Sequence, residues 1–255
     1  MNVLACIKRV PATGARIVLT EDEQEIDTRH LGFAISPHEE CGVEAAVRLV
    51  EQHGGSSTVL TLGPEAAIEQ LRFALAQGIN RAVLLETDDS DWDPVATARA
   101  IIAAVQAQQT EVGSFDVLLF GNEAADTGGY QVGIRVAHAL GLPCVTGIKA
   151  LEINDGSALA KREVSGGWEI FELPLPAVFT VREGINLPRY PSLPGRLRAK
   201  KVGIERIQPQ RVDSGLAKVR LKVPEELSTG AEILGEGPQA GAKVVEIIKK
   251  LGLLT

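Results

Sequence analysis

The sequence predicts an α/β protein built on a doubly wound, mostly parallel β-sheet, and three observations lead to that fold class. Short apolar runs alternate with helical patterns over roughly the first 145 residues, an order that builds right-handed β-α-β crossovers. The runs are apolar at successive positions, as in strands buried on both faces. Beyond them the pattern changes to that of a small antiparallel meander. The predicted parallel strands are residues 3–7, 58–62, 82–85 and 117–120.

The helices between these strands have recognisable ends. Ser36, with a proline after it and Glu39 three residues on, predicts an N-cap and capping box for a helix that ends near His53, before two glycines. Asp93 and the following proline open a second helix. A third helix is predicted over residues 132–140 and is closed by a glycine. Helices therefore alternate with strands through the parallel part of the chain.

The meander is predicted from three strand-like runs joined by Asn-Asp-Gly and Ser-Gly-Gly turns. These runs are residues 148–153, 158–164 and 168–173. A further strand, residues 174–181, leads into a segment that contains three prolines.

The C-terminal part of the chain has a different character. Residues 207–238 are polar and aperiodic, and residues 239–251 predict a short amphipathic helix. We therefore expect an α/β domain over residues 1–205 and an extended arm over residues 206–255 that packs on something else.

Composition is that of an ordinary globular protein. Of the 255 residues, 45% are hydrophobic and 23% charged, and no apolar run reaches the 18 or so residues of a membrane span. The net charge of −7 argues against nucleic acid as a ligand. Cys6, Cys41 and Cys144 are widely spaced, which fits reduced thiols in a cytoplasmic protein and no metal site. We expect neither nucleic-acid binding nor direct membrane insertion.

Motifs of known catalytic chemistry are absent from the sequence. It has no Gly-x-Ser-x-Gly elbow, no His-Glu-x-x-His pair, no Cys-x-x-Cys pair and no Walker loop. Its four histidines are scattered and lack the spacing of a metal site. We expect no catalytic residues and no independent enzymatic activity.

The best candidate for ligand binding is the glycine-rich stretch 121–133. It follows a buried strand and opens a helix, which is where an open α/β sheet places its ligand crevice. Thr127, Gly128 and Gly129 would let backbone N–H groups turn toward an anion at the helix N-terminus. The spacing is not that of a dinucleotide fingerprint, so on spacing alone a plain strand-to-helix turn is favoured over a nucleotide site.

A proline-rich segment, residues 183–201, is the other candidate for function. Pro188, Pro191 and Pro194 argue against an ordinary helix or central strand and predict a stiff, irregular loop. The segment carries apolar residues and lies in a basic region. A protein-docking surface and a solvated connector account for these residues equally well.

Resemblance to a known family favours function for both stretches. The pattern N-x-P-R-Y-x-x-L-P followed by A-K-K, just after a strand that ends P-A-V-F-T-V, resembles the partner-recognition loop of electron transfer flavoprotein β subunits. G-N-E-A-x-D, followed by glycines and a helix ending A-L-G-L-P, is similar to the nucleotide loop of the same family. The resemblance extends from Met1 to about Glu205. The fold it implies is of the adenine nucleotide α-hydrolase-like type.

The family resemblance implies a nucleotide site in this chain. Its β subunits bind AMP structurally, and a lineage that performs electron bifurcation binds a second FAD there. Many AMP-binding members have Asn-Gln-Thr at the last three site positions, which differ here in the first and third. AMP is favoured over FAD by a modest margin. The site residues carried over are Cys6, Ser36, Pro37, His38, Glu39, Leu62, Gly121, Asn122, Glu123, Ala124, Ala125, Asp126, Thr127, Gly128, Gly129, Tyr130, Gln131 and Val132.

The resemblance also implies a role and partners. The chain would pair with a larger α subunit that holds FAD, and would carry electrons from flavin-dependent dehydrogenases to a membrane quinone oxidoreductase or another acceptor. Glu163 corresponds to a charged residue thought to steady the mobile flavin domain, and Leu193 to a leucine that inserts into the dehydrogenase. Arg189, Tyr190, Lys200 and Lys201 are expected beside Leu193. The resemblance further implies a recognition loop near 181–203 and a partner subunit on which the arm over residues 206–255 packs.

Two alternatives accompany this interpretation. One is a bifurcating β subunit with FAD in place of AMP. The other is a stand-alone nucleotide-binding regulator without an electron-transfer role, in which the docking segment and the C-terminal arm would have no evident use.

Overall fold

The computed structural model describes residues 1–12, 14, 16–88, 90–212, 218–224 and 233–254. Its strands, in chain order, are β1 (Asn2–Ile7), β2 (Arg9–Pro11), β3 (Phe33–Ile35), β4 (Ser56–Gly63), β5 (Arg81–Glu86), β6 (Val117–Gly121), β7 (Cys144–Asn154), β8 (Ser157–Val164), β9 (Gly167–Pro174), β10 (Ala177–Val181) and β11 (Ile204–Ile207). Nine of them form one sheet in the order β11-β5-β4-β1-β6-β10-β7-β8-β9, while β2 and β3 form a separate hairpin. Neighbouring strands are parallel from β11 to β7 and antiparallel from β7 to β9.

Helices cover both faces of the sheet. They are α1 (Pro37–His53), α2 (Ile68–Gln77), α3 (Pro94–Val112), α4 (Val132–Leu140) and α5 (Leu193–Lys201). A further helix, α6 (Ala240–Lys250), lies in the C-terminal part of the chain. Buried residues of α1, α2 and α5 belong to one hydrophobic core, and those of α3 and α4 to a second. Along β1, Val3, Ala5 and Ile7 join the first core while Leu4 and Cys6 join the second. Because successive strand residues face opposite sides, the predicted doubly wound α/β fold is confirmed.

The strand β10 occupies the middle of the sheet. It lies between β6 and β7 and runs parallel to both. All of its residues are buried, and Phe179 is fully enclosed. Full burial of such a side chain contributes about 1.5–3 kcal/mol. On the far side of β10, the predicted meander, β7 to β9, extends the same sheet by antiparallel pairing.

The structure confirms the predicted parallel strands, the meander and the three predicted helices of the parallel part. The Asp93 carboxylate caps α3 by accepting the N–H groups of Val95, at 2.7 Å, and Ala96, at 3.2 Å. α4 ends at Gly141 in a left-handed conformation, as its sequence predicts. The helix α2, the hairpin of β2 and β3, and the edge strand β11 are additions that the sequence patterns did not predict.

The prediction that the proline-rich segment contains no helix is wrong for its second half. Residues Leu193–Lys201 form α5. Pro194 lies in the first turn, where a missing N–H costs no hydrogen bond. Ser192 caps the helix, since its Oγ accepts the N–H of Gly195 at 3.1 Å. Only the part before α5 is an irregular loop.

The chain divides into two compact units. The first comprises residues 1–18 and 26–219, and the second comprises residues 19–25 and 220–255. Within the second unit the Leu221 N–H donates to the Glu23 carbonyl at 2.8 Å, and no residue of α6 is buried. None of the helices in the described ranges has the length and apolarity needed to cross a bilayer.

Candidate functional site

The nucleotide site predicted from the sequence lies at a topological switch point of the sheet. The chain proceeds from β1 outward to β4 and β5 on one side, and returns to place β6 on the other side of β1. The segments that leave β1 and β6 therefore diverge at the carboxyl edge of the sheet. Open α/β sheets form their ligand crevices at such points. The candidate loop, residues 121–132, is the segment that follows β6.

The start of this loop is fixed to the neighbouring strands. The Asn122 N–H donates to the Val181 carbonyl at 2.9 Å. Thr180 Oγ1 donates to Asn122 Oδ1 at 2.8 Å and accepts the N–H of Gly147 at 2.9 Å. The carboxyl ends of β6 and β10 are thereby held to each other and to Gly147 of β7. The loop begins from a rigid base.

Ser36 joins the loop to the N-terminus of α1, and this corrects the predicted capping box. Ser36 is the N-cap residue, but its hydroxyl caps nothing within the helix. It is 1% exposed, and its Oγ accepts the Ala125 N–H at 3.1 Å. Glu39 likewise turns away from the helix and accepts the N–H of Lys8. Tertiary partners have replaced the local ones, because the helix start is enclosed by the loop.

Glu39 is a buried carboxyl group beneath the loop. Burial raises its pKa well above the ordinary value, against the lowering effect of the Lys8 N–H. A Cβ atom on Gly121 would lie 2.6 Å from Glu39 Cγ, a separation that real side chains do not adopt. Glycine is therefore required at position 121, where β6 ends, because the Glu39 side chain lies against it and reaches the Lys8 N–H at the end of β1.

Lys8 is a residue of this site that was not predicted as such. Its Nζ lies 2.7 Å from Asp126 Oδ2 and 3.5 Å from Thr127 Oγ1. An ammonium group thus lies beside the middle of the loop, in an ion pair with Asp126. The available signal was its position: Lys8 is the first charged residue after β1, at the switch point.

The second half of the loop leads into α4 with two left-handed residues. Gly128 has φ of 54° and Tyr130 has φ of 55°. The Tyr130 hydroxyl, whose pKa is raised by its hydrogen bond to Glu123, is exposed. Beyond the loop, a Cβ atom on Gly133 would lie 3.0 Å from Thr180 Cγ2, so α4 packs closely on the sheet. The first N–H groups of α4 have no intrahelical acceptors and can serve an anion.

Three other predicted site residues, Cys6, Leu62 and His38, have surroundings that differ from those of Ser36 and Glu39. Cys6 is buried in the α3–α4 core, where burial, with a further contribution from Glu39, raises its thiol pKa. Leu62 is half-buried against the same core. His38 Nδ1 is buried and has no hydrogen-bond partner among the described residues. The structure thus brings Ser36, Glu39 and the loop together and leaves Cys6 largely enclosed by protein.

The predicted docking residues lie on α5 and the segment before it. Tyr190 is 92% exposed and Leu193 is 72% exposed, and Lys200 and Lys201 are exposed at the end of the helix. Arg189 differs from the others, because its guanidinium group is bound within the chain by two carboxylates of α1. The remaining four side chains are presented to the surroundings.

Glu163 lies on β8, in the antiparallel part of the sheet. Lys149 of β7 donates to its carboxylate, and this hydrogen bond lowers the pKa of Glu163. Half of the Glu163 side chain remains exposed. A charged group that is held by its neighbour and still accessible can contact a protein that approaches this edge.

Known proteins resemble this chain over nearly its whole length. Residues 25–211 match the family model described as electron transfer flavoprotein domain. The chain is 35% identical over 258 aligned positions to a protein of Bacillus subtilis (strain 168) named electron transfer flavoprotein subunit beta, with 98% of each chain covered. A protein of the same name from Syntrophomonas wolfei is 33% identical, over 98% of this chain and 96% of its own length. A mitochondrial protein of Oryza sativa subsp. japonica, also named as this subunit, is 33% identical over 84% of each chain.

Proposed function

Because this chain belongs to the electron transfer flavoprotein family and matches its β subunits, we propose that it pairs with an FAD-bearing α subunit in an electron carrier. The heterodimer would accept electrons from flavin-dependent dehydrogenases and deliver them to a quinone oxidoreductase or another acceptor. The observation that carries this proposal is the presentation of Leu193 and Tyr190, both largely exposed, on a segment bound firmly to α1 and α2. Exposed apolar side chains on a fixed backbone favour docking.

The β chain would act in this carrier as a scaffold for a structural AMP. The residues present fit such a group in part: the start of α4 offers N–H donors, and Lys8, which pairs with Asp126, supplies a positive charge. The Gly128 N–H is engaged within the loop by the Ala124 carbonyl, so the α4 N–H groups and Lys8 would hold the phosphate. Ser36 would keep the loop in place through its bond to Ala125. AMP would fill the cleft and take no part in electron transfer.

The flavin chemistry would belong to the α subunit. Its FAD supplies the electron-carrying group when bound, and this chain contributes surfaces around it. Glu163, steadied by Lys149, would contact the flavin domain from the β8 hairpin. Leu193, Tyr190 and the lysines at the end of α5 would contact the dehydrogenase, with the apolar residues as anchors and the basic residues steering an acidic partner.

The first test is the nucleotide content of the assembled protein. The chain would be co-expressed with the reading frame encoding its α partner, and the purified complex would be treated with acid and its nucleotides separated by chromatography. We expect one FAD and one AMP per heterodimer. Two FAD per heterodimer would indicate the bifurcating type instead. A colourless β chain that purifies alone, with ATP or no nucleotide, would contradict the carrier and favour a regulator.

A further inference from the structure

The segment between β10 and α5 lacks regular secondary structure, yet its backbone is bound at successive positions by two helices. A helix side chain donates to the carbonyl of Leu187 and another to that of Arg189, while Asn186 reaches back to α1. The three contacts are Arg48 Nη2 with the Leu187 carbonyl at 3.2 Å, Gln77 Nε2 with the Arg189 carbonyl at 3.1 Å, and Asn186 Nδ2 with the Cys41 carbonyl at 2.9 Å. Regular hydrogen bonding is thus replaced by side chains of α1 and α2.

Arg189 forms the centre of this attachment. Its Nε lies 2.8 Å from Glu44 Oε2 and its Nη1 lies 2.6 Å from Glu51 Oε1. Nη2 also donates to both carboxylates, at 3.1 Å to Glu44 and 2.9 Å to Glu51. The Arg189 N–H adds a further bond to Glu44 at 3.2 Å. A planar guanidinium can reach two carboxylates in this way, and an ammonium group cannot.

We call the bonding of the Arg189 guanidinium to Glu44 and Glu51 the fork. Burial makes its ion pair with Glu44 stronger than its ion pair with Glu51. The Glu44 side chain is 1% exposed and also accepts Arg48 Nε at 2.5 Å, whereas the Glu51 side chain is 57% exposed. An ion pair with a buried, fully hydrogen-bonded carboxylate is screened less by solvent than one at the surface. The position of Arg189, and with it the backbone on either side, is therefore set mainly by Glu44.

The residues on either side of this fork are exposed and apolar. Tyr190 follows Arg189 directly, Leu187 lies two residues before it, and Leu193 begins the next helix. Such side chains would lose much of their docking value on a mobile backbone, because binding would then also have to order the segment.

We infer that Arg189, held between Glu44 and Glu51, is a positioning residue. It fixes the docking segment, residues 182–192 between β10 and α5, in its binding conformation before a dehydrogenase binds. The inference rests on the proposed function and deepens it. It assigns Arg189 an internal role in place of direct contact with the partner. The positions of Leu193 and Tyr190 therefore depend on the carboxylates of α1 that bind Arg189.

The test compares Arg189→Lys with the wild-type chain, each in the assembled heterodimer. Lysine keeps the charge and loses the fork. The donor would be the flavin-dependent dehydrogenase identified by its reduction of the wild-type heterodimer. We expect the KM for the heterodimer as electron acceptor to rise roughly tenfold, as the ordering of about one freed residue would require. kcat at saturation, reduction by dithionite and nucleotide content should stay unchanged, and amide exchange over residues 187–190 should quicken.

Two further variants make the outcome decisive. Glu51→Gln alters only the exposed half of the fork, preserves the buried pair and should give a smaller rise in KM with normal folding. Arg29→Lys changes an exposed arginine whose ion-pair partner is Asp27, not a carboxylate of α1, and should leave every readout unchanged. Faster exchange with an unchanged KM in both fork variants, or unchanged exchange in Arg189→Lys, would overturn the inference. If Leu193→Ala also left the KM unchanged, the docking function itself would fail.

Discussion

At the scale of single residues, Leu193 is the side chain on which the proposed docking depends most directly. It stands at the first position of α5, is 72% exposed, and lies beside a rigidly held segment. A few residues of an interface carry most of its binding energy, and they fill well-packed, desolvated pockets on the partner.

Leu193→Ala is expected to slow electron uptake from the dehydrogenase by about tenfold or more, since it removes an anchor without disturbing the core. Stopped-flow reduction of the heterodimer would measure this, with AMP content as a check that remains constant. Leu197→Ala, one turn further along the same helix and also exposed, is the matched comparison. Equal slowing in both variants would contradict a specific anchor at Leu193.

Glu39 is a carboxyl group whose ionisation is strongly affected by the fold. Because burial raises its pKa, the folded state retains a proton that the unfolded chain releases above about pH 4.5. The stabilising contribution of the protonated group is complete at low pH and is lost as pH rises through the raised pKa. Above that pH, the folded protein contains a buried charge.

Glu39→Gln is expected to remove this pH dependence while keeping an oxygen that accepts the Lys8 N–H. The free energy of unfolding of the variant should exceed that of the wild type at about pH 8, and the difference should shrink toward about pH 5. Urea unfolding across this range provides the measurement. Glu69→Gln, on an exposed position of α2, is the control and should show no such trend. A constant difference for Glu39→Gln would contradict the shifted pKa.

At the scale of secondary-structure elements, α5 depends on one close contact with α2. A Cβ atom on Gly195 would lie 2.3 Å from the carbonyl oxygen of Ala76. Arg72 holds the other end of α5 by donating to the carbonyls of Ala199 and Val202. The docking helix is thus packed on its neighbour at the start and secured by hydrogen bonds at the end.

Gly195→Ala is expected to force α5 away from α2 and to destabilise the fold by about 1–3 kcal/mol, the usual cost of overpacking. Thermal unfolding monitored by circular dichroism would show it. Gly203→Ala lies two residues after α5, where an added Cβ meets nothing within 4 Å, and should change stability little. Equal stability of the two variants would show that the contact with Ala76 is unimportant.

Some secondary-structure elements of this chain are predictable from its sequence, and others are not. Buried strands such as Val117–Gly121 are predictable, because uninterrupted apolar runs have few other stable arrangements. The sequence pattern does not predict α5, because proline disfavours most helix positions, whereas Pro194 lies in the first turn, where it is tolerated. The edge strand Ile204–Ile207 is short and only partly buried, so its apolar pattern is weak.

The candidate site is predictable in its chain location and less so in its contacts. The loop 121–132 follows from its place after a buried strand. The capping box at Ser36 failed because both of its side chains found partners distant in sequence, Ala125 and Lys8. The intramolecular fork of Arg189 was unpredictable for the same reason, as Glu44 lies 145 residues away in the chain. Local patterns do not report such pairings.

At the scale of the whole molecule, the two units differ in how they are stabilised. Both hydrophobic cores consist of residues from the first unit. α6, in the second unit, leaves Val244, Val245 and Ile247 about two-fifths exposed. An amphipathic helix with an apolar face in water is suited to a partner protein, and we propose the α subunit as that partner.

A chain shortened to end at Val219 is expected to keep the thermal stability of the first unit and to lose most of its recovery as a heterodimer. Co-purification with a tagged α subunit would measure the recovery. Ile247→Asp, which places a charge on the apolar face, should reproduce the loss, and Glu246→Gln should not. Full recovery of the shortened chain would contradict a role for α6 in assembly.

The central position of β10 has a consequence for biosynthesis. While the chain emerges from the ribosome, β6 and β7 are complete before the strand that must join them exists. Until residues 177–181 appear, both strands have an unpaired edge, and that of β6 is buried, apolar sequence in the finished fold. Unpaired strand edges are sites of non-native association. The hairpins of β7 to β9 involve only nearby residues and can form earlier. Closure of the sheet is therefore a late event, in which a strand of five residues joins two preformed halves.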